Sequence, residues 1–179
     1  MIDLIGISGS LRRDSLNTAL LEATAELVPD VATLTPVSIA DIPLYNADLD
    51  IDGGPEVVRE LKARVETADG LLIATPEYNY SVPGVLKNAI DWISRPAFES
   101  VLVGKPVAII GAAPGAVGTA RAQAELRNVL YGMLAEVFPH PEVLVGRARQ
   151  RFADGRLTDA TTRKLLGEML ERYVAWLKR

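Results

Sequence analysis

The sequence contains no cysteine and a single histidine, His140. No disulfide framework, thiolate nucleophile or Cys-ligated metal is available, and most histidine acid–base and zinc chemistry goes with them. Aromatic residues are only 6% of the chain. Basic charge is also in short supply: 19 Lys and Arg stand against 23 Asp and Glu, a formal net charge of -4. Without a basic stripe, sequence-independent attraction to nucleic acid has no source. A long apolar run is missing too. The longest weakly polar stretch, 106–118, is broken by glycine and proline in its second half. It falls short of the ~20 residues of a membrane span. No basic segment followed by an apolar stretch and a cleavage site is visible before the strand-like start, so the chain reads as a cytoplasmic protein with no membrane partner.

What is present is an ordinary globular composition, 179 residues with 49% hydrophobic and 23% charged side chains. That length fits one domain, 1–179, around one sizeable core. Apolar runs at 2–8, 31–39, 70–75, 106–112 and 137–145 read as strands. Leu71-Leu72-Ile73 and Val107-Ala108-Ile109-Ile110 show no polar alternation, the pattern of strands covered on both faces. Between the runs lie helical spacings: Leu16, Leu20, Ala23 and Leu27; Val58, Leu61, Val65 and Ala68; Val85, Leu86, Ala89, Ile90 and Ile93. Leu126, Leu130, Met133 and Leu134 follow, and Leu165 to Leu177 supply the last helix.

Alternating strands and helices imply an α/β fold, because parallel strands need right-handed crossover helices on both faces. The expected architecture is a flavodoxin-like three-layer α/β/α sandwich with a five-stranded parallel sheet of order 2-1-3-4-5. Ligands of such sheets sit at the carboxyl ends of the strands, beside the switch point between strands 1 and 3. Three loops therefore carry the expectation of function, those after Ser8, Thr75 and Gly111.

The first reads "GISGSLRRDSLNTALL", residues 6–21. Its strand-to-helix turn offers backbone N–H groups and a helix dipole to an anion, with Ser10, Ser15 and Asn17 as further donors and Arg12 as a forked positive charge. A second reading of the same residues stands beside it: Ser15 is an ordinary helix cap and the arginines are solvated. Neither a Walker A motif nor G-x-G-x-x-G is present, so a cofactor ending in a monophosphate suits the loop better than a nucleoside triphosphate. The second loop, "TPEYNYSVPGVLKNAIDW" at 75–92, sets two tyrosines and the amides of Glu77, Tyr78 and Asn79 where a flat heterocycle can lie. Alternatively, Tyr78 and Tyr80 are half-buried packing residues.

These two segments, with "DIPLYNADLD" at 41–50 and "RAQAELRNVL" at 121–130, resemble the NADPH-dependent FMN reductase family, flavodoxin-like quinone, chromate and azo-compound reductases. The resemblance implies that Ser10, Arg12, Ser15 and Asn17 hold the FMN phosphate. Leu16 lies in the same pattern, and Arg13 at a variable position facing solvent or a neighbour. It implies further that Pro76 opens a segment in which Glu77, Tyr78, Asn79 and Tyr80 line the isoalloxazine ring. The third loop departs from the family's Gly- or Ser-rich turn, and any flavin contact there is expected from backbone groups around Ala112 and Ala113.

By the same resemblance, NADPH or NADH is the co-substrate. Hydride passes through flavin N5 to a small acceptor such as a quinone, free flavin, azo compound or metal oxyanion, in ping-pong order. No catalytic side chain and no metal is called for. Tyr78, Tyr80 and the 41–50 loop are expected to wall the substrate site. A homodimer or homotetramer is implied, with the helices around 85–93 and 126–134 offering either an interface or plain core. The alternative function is a non-catalytic flavodoxin-like electron carrier, disfavoured because such carriers lack the arginine spaced as in "SLRRDS". A receiver domain would need paired acids where Ser8-Gly9-Ser10 stand. His140, Trp92 and Trp176 read as turn and packing residues. The run 147–151 reads as a solvated loop, or as a weak approach to the 2′-phosphate of NADPH.

Overall fold

The computed structural model describes residues 1–179. Four strands, β1 (Ile2–Ser8), β2 (Ala32–Val37), β3 (Gly70–Ala74) and β4 (Pro106–Ala112), pair in parallel in the order β2-β1-β3-β4. The fifth place is shared by two short strands, β5 (Glu136–Val137) and β6 (Val143–Val145), each parallel to β4. The single run expected at 137–145 is therefore two pieces. Val143 lies six positions after Val137, whereas their partners Val107 and Ile110 are three positions apart. Pro139 and Pro141 have no N–H to give a ladder, so the chain leaves the sheet there and returns.

Five helices cover the sheet: α1 (Leu16–Ala25), α2 (Glu56–Thr67), α3 (Gly84–Ile93), α4 (Ala120–Gly132) and α5 (Ala160–Leu177). Leu4, Leu72, Ala74, Ala108 and Ile110 pack under α1 and α5, while Ile5, Ile7, Leu71, Ile73, Val107 and Ile109 pack under α2, α3 and α4. Successive strand side chains feed opposite cores, which is why the central strands are apolar without alternation. The apolar faces of α3 and α4, carrying Leu86, Ala89, Ile90, Ile93, Leu126 and Leu130, are buried in the second core of the chain itself. The periodicity runs past two helix ends. Leu27 lies beyond α1, and Met133 and Leu134 beyond α4, which stops where Leu134 turns left-handed (φ 60).

A small hairpin, β7 (Phe152–Ala153) and β8 (Arg156–Leu157), was not expected. Its turn is Asp154-Gly155, both at positive φ, the pair that a two-residue hairpin favours and the one signal that announces it. The 147–151 run is accordingly built in at its end rather than solvated throughout. Arg151 donates to the Gly146 carbonyl (3.0 Å) and to Asp159 Oδ1 (2.6 Å). Asp159 caps α5 through the Thr162 amide, and Thr162's hydroxyl and amide, with Arg151 behind them, hold its carboxyl below the usual value. Trp92 is fully buried and donates its indole N–H to the Pro43 carbonyl at 2.8 Å. Trp176 packs on Phe138, and His140 stacks on the same ring in the turn between β5 and β6. No helix is long and apolar enough to cross a membrane.

The sheet order reverses between β1 and β3, and there the carboxyl ends converge. Gly9 N–H donates to the Ala74 carbonyl (2.8 Å) and Thr75 N–H to the Ile110 carbonyl (3.0 Å), lacing three strand ends side by side. Gly111 permits this closeness, since a Cβ there would collide with the Thr119 side chain and the Thr75 carbonyl.

Candidate active site

In the first loop Ser15 is the N-cap of α1, its Oγ accepting from Thr18 N–H at 3.2 Å. The capping reading is thus correct, and it does not exclude the anion reading. The cap uses a lone pair and leaves the hydroxyl hydrogen to donate. The first-turn amides of Leu16 and Asn17 make no hydrogen bond within the chain. Arg12 is exposed, forms no ion pair, and folds back to donate from Nη2 to the Asp14 carbonyl at 2.8 Å. Ser10 lies beside it, its Oγ 3.4 Å from the Arg12 amide.

Asn17 does more than the motif foretold. It is buried, its Nδ2 donating to the Ala112 carbonyl (2.9 Å) and its Oδ1 accepting from the Ala112 amide (2.8 Å), across 95 residues of chain. The carboxamide clamps α1 to the end of β4, and one Nδ2 hydrogen remains free. The Ala112 backbone is therefore closed on both sides. Ala113 is closed as well, donating to Val145 and accepting from Ala148, each at 3.0 Å. The Ala112 and Ala113 amides are thus taken up within the chain, and Ala112, Ala113 and Pro114 border the crevice.

The second loop forms a tight hairpin in which Tyr78 and Ser81 bridge antiparallel, with Asn79 (φ 50) and Tyr80 (φ 69) both left-handed at its tip. The amides of Glu77 and Asn79 make no hydrogen bond within the chain, whereas that of Tyr78 donates to the Ser81 carbonyl (3.2 Å). The Glu77 carboxylate turns away and caps α4. It accepts from the Arg121 amide (3.0 Å), the Ala122 amide (3.3 Å) and Arg121 Nη1 (2.8 Å). Thr119, at the N-cap position of α4, makes no side-chain cap, so a carboxylate from another loop supplies it.

One cavity of about 150 Å3 gathers these elements. Ser10, Arg12, Ser15, Leu16, Asn17, Pro76, Glu77, Tyr78 and Ala112 line it, with Ala113 and Pro114 closing one side. Asn79 and Tyr80 stand apart at the exposed hairpin tip. Arg13 and Arg149 face a neighbouring cavity of about 360 Å3 that Asp14 and Glu22 also line, so cation and anion balance there. The 41–50 loop is tied to α3, where Asn88 accepts from the Tyr45 amide and donates to the Pro43 carbonyl, both at 2.8 Å. Displaced titrations lie outside the crevice: burial lowers the pKa of Lys105 and raises that of Tyr173.

A crevice at the switch point of a doubly wound sheet, lined by hydroxyl, guanidinium and backbone amide donors, is where a flavodoxin-like protein binds its nucleotide. Residues 2–150 match the model of the NADPH-dependent FMN reductase family, and the chain belongs to that family. It is 46% identical over 179 residues to an NAD(P)H-dependent FMN reductase of Pseudomonas aeruginosa, covering 99% of this chain and 96% of that one. It is 47% identical over 173 residues to a 2-hydroxy-1,4-benzoquinone reductase of a Burkholderia species, covering 96% and 94%. The solved structure of FerB, a flavoenzyme NAD(P)H:(acceptor) oxidoreductase of Paracoccus denitrificans, superposes with a TM-score of 0.89. FerB is 40% identical, with 99% and 98% of the two chains covered. The protein is thus an oxidoreductase of a family that uses FMN and NAD(P)H.

The residues present fit FMN. The amides of Leu16 and Asn17, the Ser10 and Ser15 hydroxyls and the Arg12 guanidinium can each donate to a dianionic phosphate. Aromatic and apolar surface from Tyr78, Pro76 and Pro114 adjoins it, with the free Glu77 amide at the far side.

Proposed function

We propose that the protein takes hydride from NADPH or NADH and delivers reducing equivalents to a small quinone-like acceptor, the two substrates using one open face in turn. The observation that carries this reading is the single crevice joining a donor-lined phosphate end to an aromatic, amide-edged end. FMN bound there supplies the hydride chemistry. The chain's own residues bind and orient: Arg12, Ser10, Ser15 and Asn17 hold the phosphate, and the Pro76–Tyr78 backbone sets the ring. Tyr78, half exposed, and Tyr80 beyond it wall the approach of both substrates. The names of the Burkholderia relative and of a quinone reductase of Escherichia coli, 43% identical over 147 residues, support a quinone as acceptor. No acid–base side chain is needed, in keeping with a crevice whose one carboxylate, Glu77, is turned into a helix cap.

The test is direct. Purified protein loaded with FMN is yellow; anaerobic NADPH or NADH bleaches it within a turnover, and benzoquinone restores the colour. Initial rates over both substrates give parallel double-reciprocal lines. Intersecting lines overturn the alternating order, and colour without bleaching overturns the reductase. A cytoplasmic place fits the supply of NAD(P)H. A homodimer or homotetramer fits the exposed Leu44 and Leu49 of the loop seated on α3, and sedimentation equilibrium decides between these and a monomer.

A further inference from the structure

The hairpin at 78–81 is an unfavourable piece of backbone. A left-handed Asn is tolerated, but a left-handed bulky aromatic is a genuine outlier, and Tyr80 follows Asn79 in that region at φ 69. Such conformations persist when the surroundings over-determine them. The paired Tyr78 and Ser81 backbone bonds close the turn, at 3.2 and 3.0 Å, and the Ser81 hydroxyl donates to Glu125 Oε2 of α4 at 3.4 Å. None of these bonds involves the tip residues Asn79 and Tyr80.

Arg121, the second residue of α4, supplies what is missing. Its guanidinium carbon lies 4.0 Å from the centre of the Tyr80 ring, over the aromatic face. The same guanidinium donates from Nη1 to Glu77 Oε1 at 2.8 Å, and its backbone amide donates to Glu77 Oε2 at 3.0 Å. Arg121 therefore grips the hairpin at both ends, residue 77 before the tip and residue 80 on it. A planar cation is suited to this, since one edge meets the carboxylate while the face stacks. The Glu77 and Asn79 amides, free of intramolecular partners, belong to the segment so held.

We propose that Arg121 is a positioning residue for the oxidoreductase reaction, holding the strained Asn79-Tyr80 turn so that the free amide of Glu77 stays aimed at the flavin. This rests on the reading given above that the Pro76–Tyr78 backbone sets the ring. Donors fixed in place before reaction favour the reduced, more negative cofactor. When Arg121 is lost, the turn relaxes toward ordinary backbone and the donors move. The phosphate end, built on α1, is untouched.

The experiment compares FMN-loaded wild type, Arg121→Ala, Arg121→Lys and the double variant Arg121→Ala/Tyr80→Gly. Glycine adopts positive φ freely, so the double variant removes the strain together with its clamp. In Arg121→Ala, kcat with NADPH falls about tenfold while FMN affinity changes less than about threefold, the pattern of a displaced rather than a lost group. The flavin midpoint potential moves negative. Arg121→Lys keeps the ion pair but not the stacked plane and falls between. The double variant recovers part of the lost potential, the quantity that does not depend on Tyr80 as a substrate wall. Wild-type kcat and potential in Arg121→Ala overturn the proposal. A double variant whose flavin potential stays at that of Arg121→Ala overturns it too, because the strained turn is then not what Arg121 controls. Should Arg121→Ala not fold, Arg121→Lys reads the same two quantities. Failure of the wild type to bind FMN is a different result and overturns the underlying site reading instead.

Discussion

The two ends of the crevice are made in opposite ways. At the phosphate end the backbone is relaxed and the helix cap is local: Ser15 satisfies Thr18, three residues on. At the ring end the backbone is strained and the cap arrives from far away, Glu77 satisfying the first turn of α4 across 44 residues. A local cap forms with its helix and leaves donors free for a ligand. A distant cap couples the loop that carries it to the packing of another element. Changes at the phosphate end should therefore act on affinity, and changes at the ring end on geometry and rate.

Five substitutions break or sharpen this contrast, in falling order of effect. Arg12→Ala removes a charged hydrogen bond to phosphate and should weaken FMN binding by about 1.5 to 3 kcal/mol, read by fluorescence titration of apoprotein. Affinity equal to wild type removes Arg12 from the phosphate site. Asn17→Ala opens both hydrogen bonds of the buried Ala112 backbone and should lower stability by about 1 to 3 kcal/mol in urea unfolding, with FMN affinity falling alongside. Stability within error of wild type would mean that the clamp is not engaged in solution.

Next come the two caps, each expected to cost about 1 kcal/mol. Glu77→Ala should speed hydrogen exchange at Arg121 and Ala122, and Ser15→Ala at Thr18. Should Glu77→Ala accelerate exchange only around residue 77, the long-range cap is refuted. Smallest is Arg13→Ala, which forms no ion pair and faces a cavity balanced by Asp14 and Glu22. FMN affinity should stay within about 0.5 kcal/mol, the range of an ordinary surface substitution.

Much of the fold was legible because its signals are local. The bounds of β1 and β4 follow from apolar runs, and the buried faces of α2 and α3 from helical spacing. The broken fifth strand was legible only in part. The prolines at 139 and 141 are visible, but the excess length between Val137 and Val143 becomes a bulge only against β4. In the site, the fold brings the motif residues to one crevice, Asn79 and Tyr80 excepted, and gives some of them tasks within the chain that the motif does not show. Asn17 divides its carboxamide between β4 and the crevice, and the Ala112 and Ala113 amides are occupied. Arg121 went unassigned, since nothing near it in sequence tells that Glu77 and Tyr80 will flank it.

Composition and periodicity by themselves determined an α/β sandwich with its chemistry at three loops, because burial on one face of a helix or both faces of a strand is written in neighbouring residues. The motif resemblance added flavin and nicotinamide. Only the tertiary structure decided that Glu77 faces α4, that Asn17 clamps Ala112, and that Arg121 grips the Asn79-Tyr80 turn. Those choices depend on hydrogen-bonding groups 44 and 95 residues apart meeting at the switch point, a proximity created by strand order.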